Sequence, residues 1–252
     1  MPVLPGAEAF HHDGDRTGVL LCHGFTGSPQ SLRPWADYLA GAGLTVRLPR
    51  LPGHGTTWQE LAATRWEDWY AEVDRALGEL RGSTDEIFVM GLSMGGCLAL
   101  RLAELHGKAI SGLVLVNPSL TAETKLFLLA PVMKLVIPSL KGIASDIKKP
   151  GVTEVGYDRL PVKAAATLPG LWKATTTHLD QVSQPVLVFQ STVDHVCGQA
   201  NVEILRRALP ESQLEIRKCP ESYHVATLDN DADAIFTGSL DFVRSHSHAG
   251  KE

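Results

Sequence analysis

Ile87-Phe88-Val89-Met90-Gly91-Leu92-Ser93-Met94-Gly95-Gly96-Cys97-Leu98-Ala99-Leu100 reads as a strand that turns directly into a helix, with a serine at the bend. Ile87 to Met90 is a short apolar run rich in strand formers. From Gly96 to Leu105 the leucines recur at helical spacing, and Gly107 suits a helix C-terminus. Such a bend forces its central residue into a tight backbone conformation, and small neighbours at Gly91 and Gly95 let strand and helix approach each other. Ser93 is thereby expected at the carboxyl end of a sheet, open to substrate and facing the positive end of the new helix. The context of strand before and helix after points to a nucleophile; the competing interpretation is a structural Gly-Ser turn.

Working outward, strand-like and helix-like segments alternate. Val19–Cys22, Leu44–Leu48, Ile87–Met90, Leu113–Val116, Val186–Phe189 and Leu214–Arg217 are the expected strands. Leu32–Ala42, Trp66–Leu80, Cys97–His106 and Gln199–Leu209 have helical periodicity. Continuous apolar strands separated by helices imply an α/β fold: one mostly parallel sheet with helices on both faces, in a single domain spanning 1–252. Between Pro118 and about His178 the alternation stops, and no strand is expected. An insertion that follows a strand's carboxyl end lies over the mouth of the sheet, so 118–178 reads as a small cap. Its most apolar part, 126–137, is too short and interrupted to span a membrane. It fits equally a helix buried on the core and an apolar wall for an acyl chain or a membrane-facing rim.

The bulk composition narrows the function classes. The chain has 252 residues, 44% hydrophobic and 20% charged, with a net charge of −5, and no basic concentration that would suit a nucleic acid. Cys22, Cys97, Cys197 and Cys219 show no paired C-x-x-C spacing, which argues against a metal site and for buried, reduced thiols. The first residues, Met1 to Gly6, carry neither a basic segment nor a long apolar stretch, so no signal peptide and a cytoplasmic location are expected.

A serine hydroxyl needs a base. With the order nucleophile, acid, histidine, His224 is the expected base, in Ser222-Tyr223-His224-Val225-Ala226-Thr227 just after the last strand. His195 adjoins the acid and reads as unable to reach Ser93, while His246 and His248 lie in a polar tail. Asp194 is the expected acid, because it follows the strand Val186–Phe189 at the sheet's carboxyl end. Asp180 belongs at the opposite edge, and Asp146 and Asp158 fall in the cap. Two backbone N–H groups should stabilise an oxyanion: that of Met94, and that of Phe25 in the loop His23-Gly24-Phe25-Thr26-Gly27. Gly24 and Gly27 are expected to let that loop turn inward. His23 and His54 read as structural hydrogen-bonders, and Cys97 as a small buried filler.

These motifs, with Pro2-Val3-Leu4-Pro5-Gly6-Ala7-Glu8, Leu48-Pro49-Arg50-Leu51-Pro52-Gly53-His54-Gly55-Thr56, Ser145-Asp146-Ile147-Lys148-Lys149-Pro150 and the run Tyr223–Asp229, resemble the bacterial monoacylglycerol lipases. That group belongs to the α/β-hydrolases and is close to small thermophilic carboxylesterases. The resemblance extends over nearly the whole chain. It implies a Ser93–Asp194–His224 triad, Phe25 and Met94 as oxyanion donors, Glu154 at the glycerol end of the substrate, and Ile143 on the cap side of the acyl pocket. It implies no cofactor and no metal, a small-molecule ester substrate such as a monoacylglycerol, and at most peripheral membrane contact through the cap. A homodimer is left open. Two departures stand out: Cys197 occupies the place of a small apolar residue, and Leu120 to Leu140 match the family poorly. The rival readings are a general short- to medium-chain carboxylesterase, an acyltransferase or perhydrolase, and a non-catalytic binding protein.

Overall fold

In the computed structural model, which describes residues 1–122, 136–142 and 145–247, the apolar runs form the middle of a seven-stranded sheet. The strands in chain order are β1 (Phe10–His12), β2 (Thr17–Cys22), β3 (Thr45–Leu48), β4 (Glu86–Leu92), β5 (Gly112–Val116), β6 (Ser139–Lys141), β7 (Arg159–Pro161), β8 (Val186–Ser191) and β9 (Leu214–Cys219). The sheet runs β1-β3-β2-β4-β5-β8-β9; β1 pairs antiparallel with β3, and all the other neighbours are parallel.

Alternation along each strand decides which layer a side chain joins. Leu20, Val89, Leu115 and Val188 point to one face and Leu21, Met90, Val114 and Leu187 to the other, all of them fully buried. Both faces are therefore covered, as parallel strands require. The helices in chain order are α1 (Arg33–Gly41), α2 (Trp58–Ala62), α3 (Trp66–Arg81), α4 (Met94–His106), α5 (Val162–Ala165), α6 (Leu168–Thr176), α7 (Ala200–Ala208) and α8 (Ala232–His246). The first face packs on α3, α4, α6 and α7. The second packs on α1 and α8, where Trp35 stacks on Phe236 at 6.4 Å.

Every strand and helix expected above is present, with ends that differ by at most three residues. Two expectations need correction. The edge strand β1 is not among the expected strands: it has one apolar residue, the half-buried Phe10, followed by the exposed His11 and His12. The stretch between Pro118 and His178 does contain strands: β6 and β7 form a separate antiparallel pair, Leu140 opposite Leu160. Three-residue strands are too short to show a period. Within the apolar run 126–137 only Val136 and Ile137 belong to the described residues, and Ile143 also lies outside them. Among the described residues no helix is long and apolar enough to cross a membrane.

Register places the site. β4 pairs Gly91 with Cys22 of β2 and Leu92 with Val116 of β5, while β8 pairs Ser191 with Cys219 of β9. The carboxyl ends of five parallel strands are thus level, and the loops after them emerge along one edge.

Glu104 is an oddity of the core. It lies on α4, its side chain fully buried, with Oε2 2.8 Å from Arg101 and Oε1 without a hydrogen-bond partner. Burial, helped by the charge of Asp180, pushes its carboxyl up to about 7 against the pull of Arg101. A folded-state pKa above the unfolded one means the folded protein holds the proton more tightly. The stabilising contribution is complete below the ordinary value of 4.5 and is lost as pH rises to about 7. Glu104→Gln mimics the protonated form. Between pH 4.5 and 8 its stability relative to the parent should therefore rise by roughly 2–3 kcal/mol, read by denaturant melts. A relative stability that falls over this range would mean the Arg101 ion pair outweighs burial.

Candidate active site

Ser93 sits at the junction of β4 and α4 at φ 56°, ψ −121°, a conformation that non-glycine residues adopt only when the surroundings impose it. Its N–H donates to Val116 O of the neighbouring strand at 3.0 Å, and its carbonyl accepts from Ser119 N–H at 3.1 Å. The bend needs its glycines for space. A Cβ on Gly95 would lie 1.9 Å from Cys22 O, and one on Gly91 2.3 Å from the carbonyl carbon of Gly95. Helix α4 can start this close to β2 and β4 only without those atoms.

His224 follows β9 in a loop that ends in a short 3-10 turn, Ala226–Leu228. Its Nδ1 lies 2.9 Å from Asp194 Oδ2, with the two side chains 8% and 4% exposed. Asp194 Oδ1 accepts the N–H groups of Val196 (2.8 Å) and Cys197 (2.7 Å), which hold the carboxylate in place. Donation from Nδ1 to a carboxylate leaves Nε2 as the basic nitrogen. Ser93, His224, Phe25, Met94 and Glu154 line one cavity of about 320 Å³; Asp194 stands behind the imidazole. A Ser93–His224 hydrogen bond is not among those formed. The Ser93 hydroxyl faces Cys197 Sγ at 4.0 Å. Cys197, which occupies the place of a small apolar residue, thus borders Ser93.

Met94 is the first residue of α4, and Phe25 lies in the loop after β2. Among the described residues neither N–H donates to a protein acceptor. Two unengaged amides beside a serine are what an oxyanion requires. The loop is shaped differently from expectation: its left-handed residue is Thr26, at φ 65°, and neither Gly24 nor Gly27 has positive φ. Gly27 serves close approach, since a Cβ there would lie 2.4 Å from Glu154 Oε1, whereas one on Gly24 would come no nearer than 3.5 Å to Ser93 Cβ. His23 and His54 are structural. His23 bonds Gly24 O through Nδ1 and accepts Leu51 N–H at Nε2, and burial pushes it down to about 4. His54 packs edge-on against His23 and Trp69, and burial holds it well below its ordinary value.

The remaining wall comes from the insertion between β5 and β8. Leu140, Leu160, Leu168, Trp172 and Ala122 give the cavity an apolar side. Glu154 supplies a carboxylate, its N–H bonded to Ser145 Oγ at 2.9 Å. Burial raises its pKa, opposed by the charge of His224 and the hydroxyl of Ser31. Among the described residues no group of three or more His, Cys, Asp and Glu is placed to hold a metal ion.

Sequence reasoning missed the residues that support the site. Asn117, at φ 44° directly after β5, donates from Nδ2 to His224 O (2.8 Å) and Ser191 Oγ (2.9 Å) and accepts Ser191 N–H at 2.8 Å. Asp229, buried, accepts the N–H groups of Tyr223, Lys148, Lys149 and Asn230. A polar residue immediately after a central strand was the available signal for Asn117; nothing local marks Asp229. Asn117→Ala should destabilise the protein by about 2–4 kcal/mol in denaturant melts, since it leaves buried partners unsatisfied and puts a Cβ-bearing apolar residue at positive φ. A loss under about 0.5 kcal/mol would show that water replaces these bonds.

Residues 14–231 match the Hydrolase_4 family, described as serine aminopeptidase, S33. A thermostable monoacylglycerol lipase of Bacillus sp. (strain H-257) is 41% identical over 98% of both chains. A carboxylesterase of Bacillus subtilis (strain 168) is 26% identical over 94% of this chain and 96% of its own. A solved structure from work on the metagenome-derived lipolytic enzymes LipS and LipT superposes with a TM-score of 0.94, at 41% identity, covering 97% of this chain and all of that one.

Proposed function

The chain belongs to the Hydrolase_4 family of α/β-hydrolases, and on that premise we propose that it cleaves monoacylglycerols to fatty acid and glycerol. It is a carboxylic ester hydrolase. The observation that carries the finer reading is the composition of the cavity. Part of the lining is apolar; of its two carboxylates, Asp146 is already bonded to His195 and to His224 N–H, which leaves Glu154, and Ser93, Phe25 and Met94 line the same cavity. That arrangement suits one acyl chain and one hydroxyl-bearing alcohol.

In this proposal Ser93 Oγ attacks the ester carbonyl carbon while His224 Nε2 takes its proton. The carbonyl oxygen becomes an oxyanion held by the N–H groups of Phe25 and Met94. Collapse of the tetrahedral intermediate breaks the carbon–oxygen bond to glycerol, and His224 returns its proton to the departing alkoxide. Water then repeats both steps on the acyl-enzyme and releases the acid. Asp194 fixes the imidazole tautomer and stabilises its charged form. The carboxylate of Glu154 accepts hydrogen bonds from the glycerol hydroxyls. The Bacillus subtilis carboxylesterase favours a second reading, a general esterase with the same chemistry.

Ser93→Ala and His224→Ala should each lower ester hydrolysis by on the order of a millionfold, because triad members act as a unit. An organophosphonate should label Ser93 in the parent, seen by mass spectrometry. Appreciable turnover by pure Ser93→Ala protein would refute the triad.

Glu154→Leu separates the two substrate readings. It should cut kcat/KM for monoacylglycerol by roughly ten- to a hundredfold, the cost of about 1.5–3 kcal/mol for a charge-assisted contact. A nitrophenyl ester of the same acid has no hydroxyls to offer and should be hydrolysed almost unchanged. Equal effects on both substrates would favour the general esterase.

A further inference from the structure

His224 lies in a loop without regular structure on either side of it, so its position depends on what holds its own main chain. Two side chains from distant segments do so. The carbonyl accepts Asn117 Nδ2 at 2.8 Å, which ties it to the sheet. The N–H donates to Asp146 Oδ2 at 3.1 Å, which ties it to the insertion. We propose that Asp146 is a positioning residue for the reaction: its carboxylate, brought over the site by the insertion, sets the main chain of the base.

Asp146 is built for this role. Its side chain is 10% exposed, and both oxygens are engaged by the two loops that carry His224 and Asp194. Oδ2 also accepts His195 N–H at 3.3 Å, and Oδ1 lies 2.8 Å from His195 Nδ1. Its own carbonyl accepts Val225 N–H at 3.1 Å. The residue therefore clasps the chain on both sides of the His224 peptide and, through His195, the residue next to Asp194. The ring of Tyr223, next to His224, packs edge-on against His195 at 4.7 Å and closes the clasp. A carboxylate is the strongest common acceptor for an N–H group.

The clasp also joins the base to the alcohol side of the cavity. Ser145, at φ 53°, precedes Asp146 and accepts Glu154 N–H at 2.9 Å. Lys148 and Lys149 donate their N–H groups to Asp229, which also holds Tyr223. Farther along, Val155 N–H is bonded to Gln30 and Tyr157 N–H to Thr26 O in the oxyanion loop. One stretch, 145–157, thus connects the loop of the base to the loop of the oxyanion donors. Asp146 lines the cavity, but both its oxygens are taken by His195 and His224 N–H; it acts through the placement of His224, where a displacement on the order of 1 Å costs up to about a hundredfold in rate.

The inference rests on the reading of His224 as base, so the test includes Ser93→Ala. The intact protein and its variants are assayed on a nitrophenyl ester, which has no contact to lose at the alcohol side. Asp146→Ala should lower kcat by about ten- to a hundredfold with KM within about twofold, and the rate of Ser93 labelling by an organophosphonate should fall in step. Asp146→Asn keeps an oxygen that accepts the His224 N–H and should recover kcat to within about threefold of the parent. His195→Ala removes the ring and leaves the Oδ2 bond, so its loss should be smaller than that of Asp146→Ala. Asp146→Leu keeps the branched shape and the number of side-chain heavy atoms and serves as the second variant if the alanine protein does not fold. Parent-like kcat in Asp146→Ala or Asp146→Leu, a change confined to KM, or an asparagine variant as slow as alanine would overturn the proposal. So would His195→Ala as slow as Asp146→Ala. Persistent hydrolysis by Ser93→Ala would instead overturn the triad itself, while an inert Ser93→Ala beside a full-rate Asp146→Ala removes only this inference.

Discussion

The hydrogen bond from Ser93 N–H to Val116 O, 3.0 Å across two central strands, anchors a residue whose backbone is otherwise unfavourable. Ser93 keeps φ 56° because β4 enters the bend inside a fully buried sheet and α4 leaves it with almost every residue buried. Strand and helix can meet at that angle only where Gly91 and Gly95 leave no Cβ, one of which would stand 1.9 Å from a carbonyl of β2. Strain of this kind, on the order of 1–3 kcal/mol, persists only when packing overdetermines it. Among the described residues the helix start that results leaves Met94 N–H without a protein acceptor, and Met94 lines the same cavity as Ser93. The backbone geometry of Ser93 and the start of α4 at Met94 therefore follow from one packing contact.

Charge is managed by burial around that point. Three imidazoles lie deep in this edge of the molecule, and each is treated differently. His23 is satisfied by two main-chain partners and pushed down to about 4, so it is neutral across the working range. His54 is likewise held neutral by its apolar and aromatic surroundings. His224 alone has a carboxylate on Nδ1, and that carboxylate is itself fixed by two N–H groups. Such a partner stabilises an imidazole that becomes positive; among the described residues the other two have no carboxylate partner, and they pack in and beside the loop that carries Phe25.

The insertion between β5 and β8 is fastened to the sheet's carboxyl edge at many points. Asp146 and Asp229 bind it to the His224 loop, while Gln30, Ser28 and Thr26 bind it to the oxyanion loop. Tyr157 adds a third attachment, its hydroxyl donating to Gly53 O and accepting Thr56 N–H. The apolar and acidic parts of the cavity lining are thereby supplied by a segment that shares hydrogen bonds with the loops of His224 and Phe25.

The sequence determined the sheet and the bend at Ser93, and it singled out Asp194 and His224, which the fold brings within a hydrogen bond of each other, because these depend on local pattern. Buried parallel strands must be continuously apolar, a nucleophile bend must have small neighbours, and catalytic groups must follow strand ends in order. It did not reveal β1, β6 or β7, whose three-residue lengths carry no period. Nor did it reveal that Thr26 rather than a glycine takes the left-handed turn, or that Cys197 faces Ser93. Asn117, Asp146 and Asp229 act on main-chain groups far away in the chain, 107 and 78 positions from His224 for the first two. A hydrogen bond to a distant peptide group leaves no spacing rule in the sequence, since any loop that places an oxygen there will do. Only the folded sheet edge, which brings the ends of β2, β4, β5, β8 and β9 level, decided which carboxylates and amides meet.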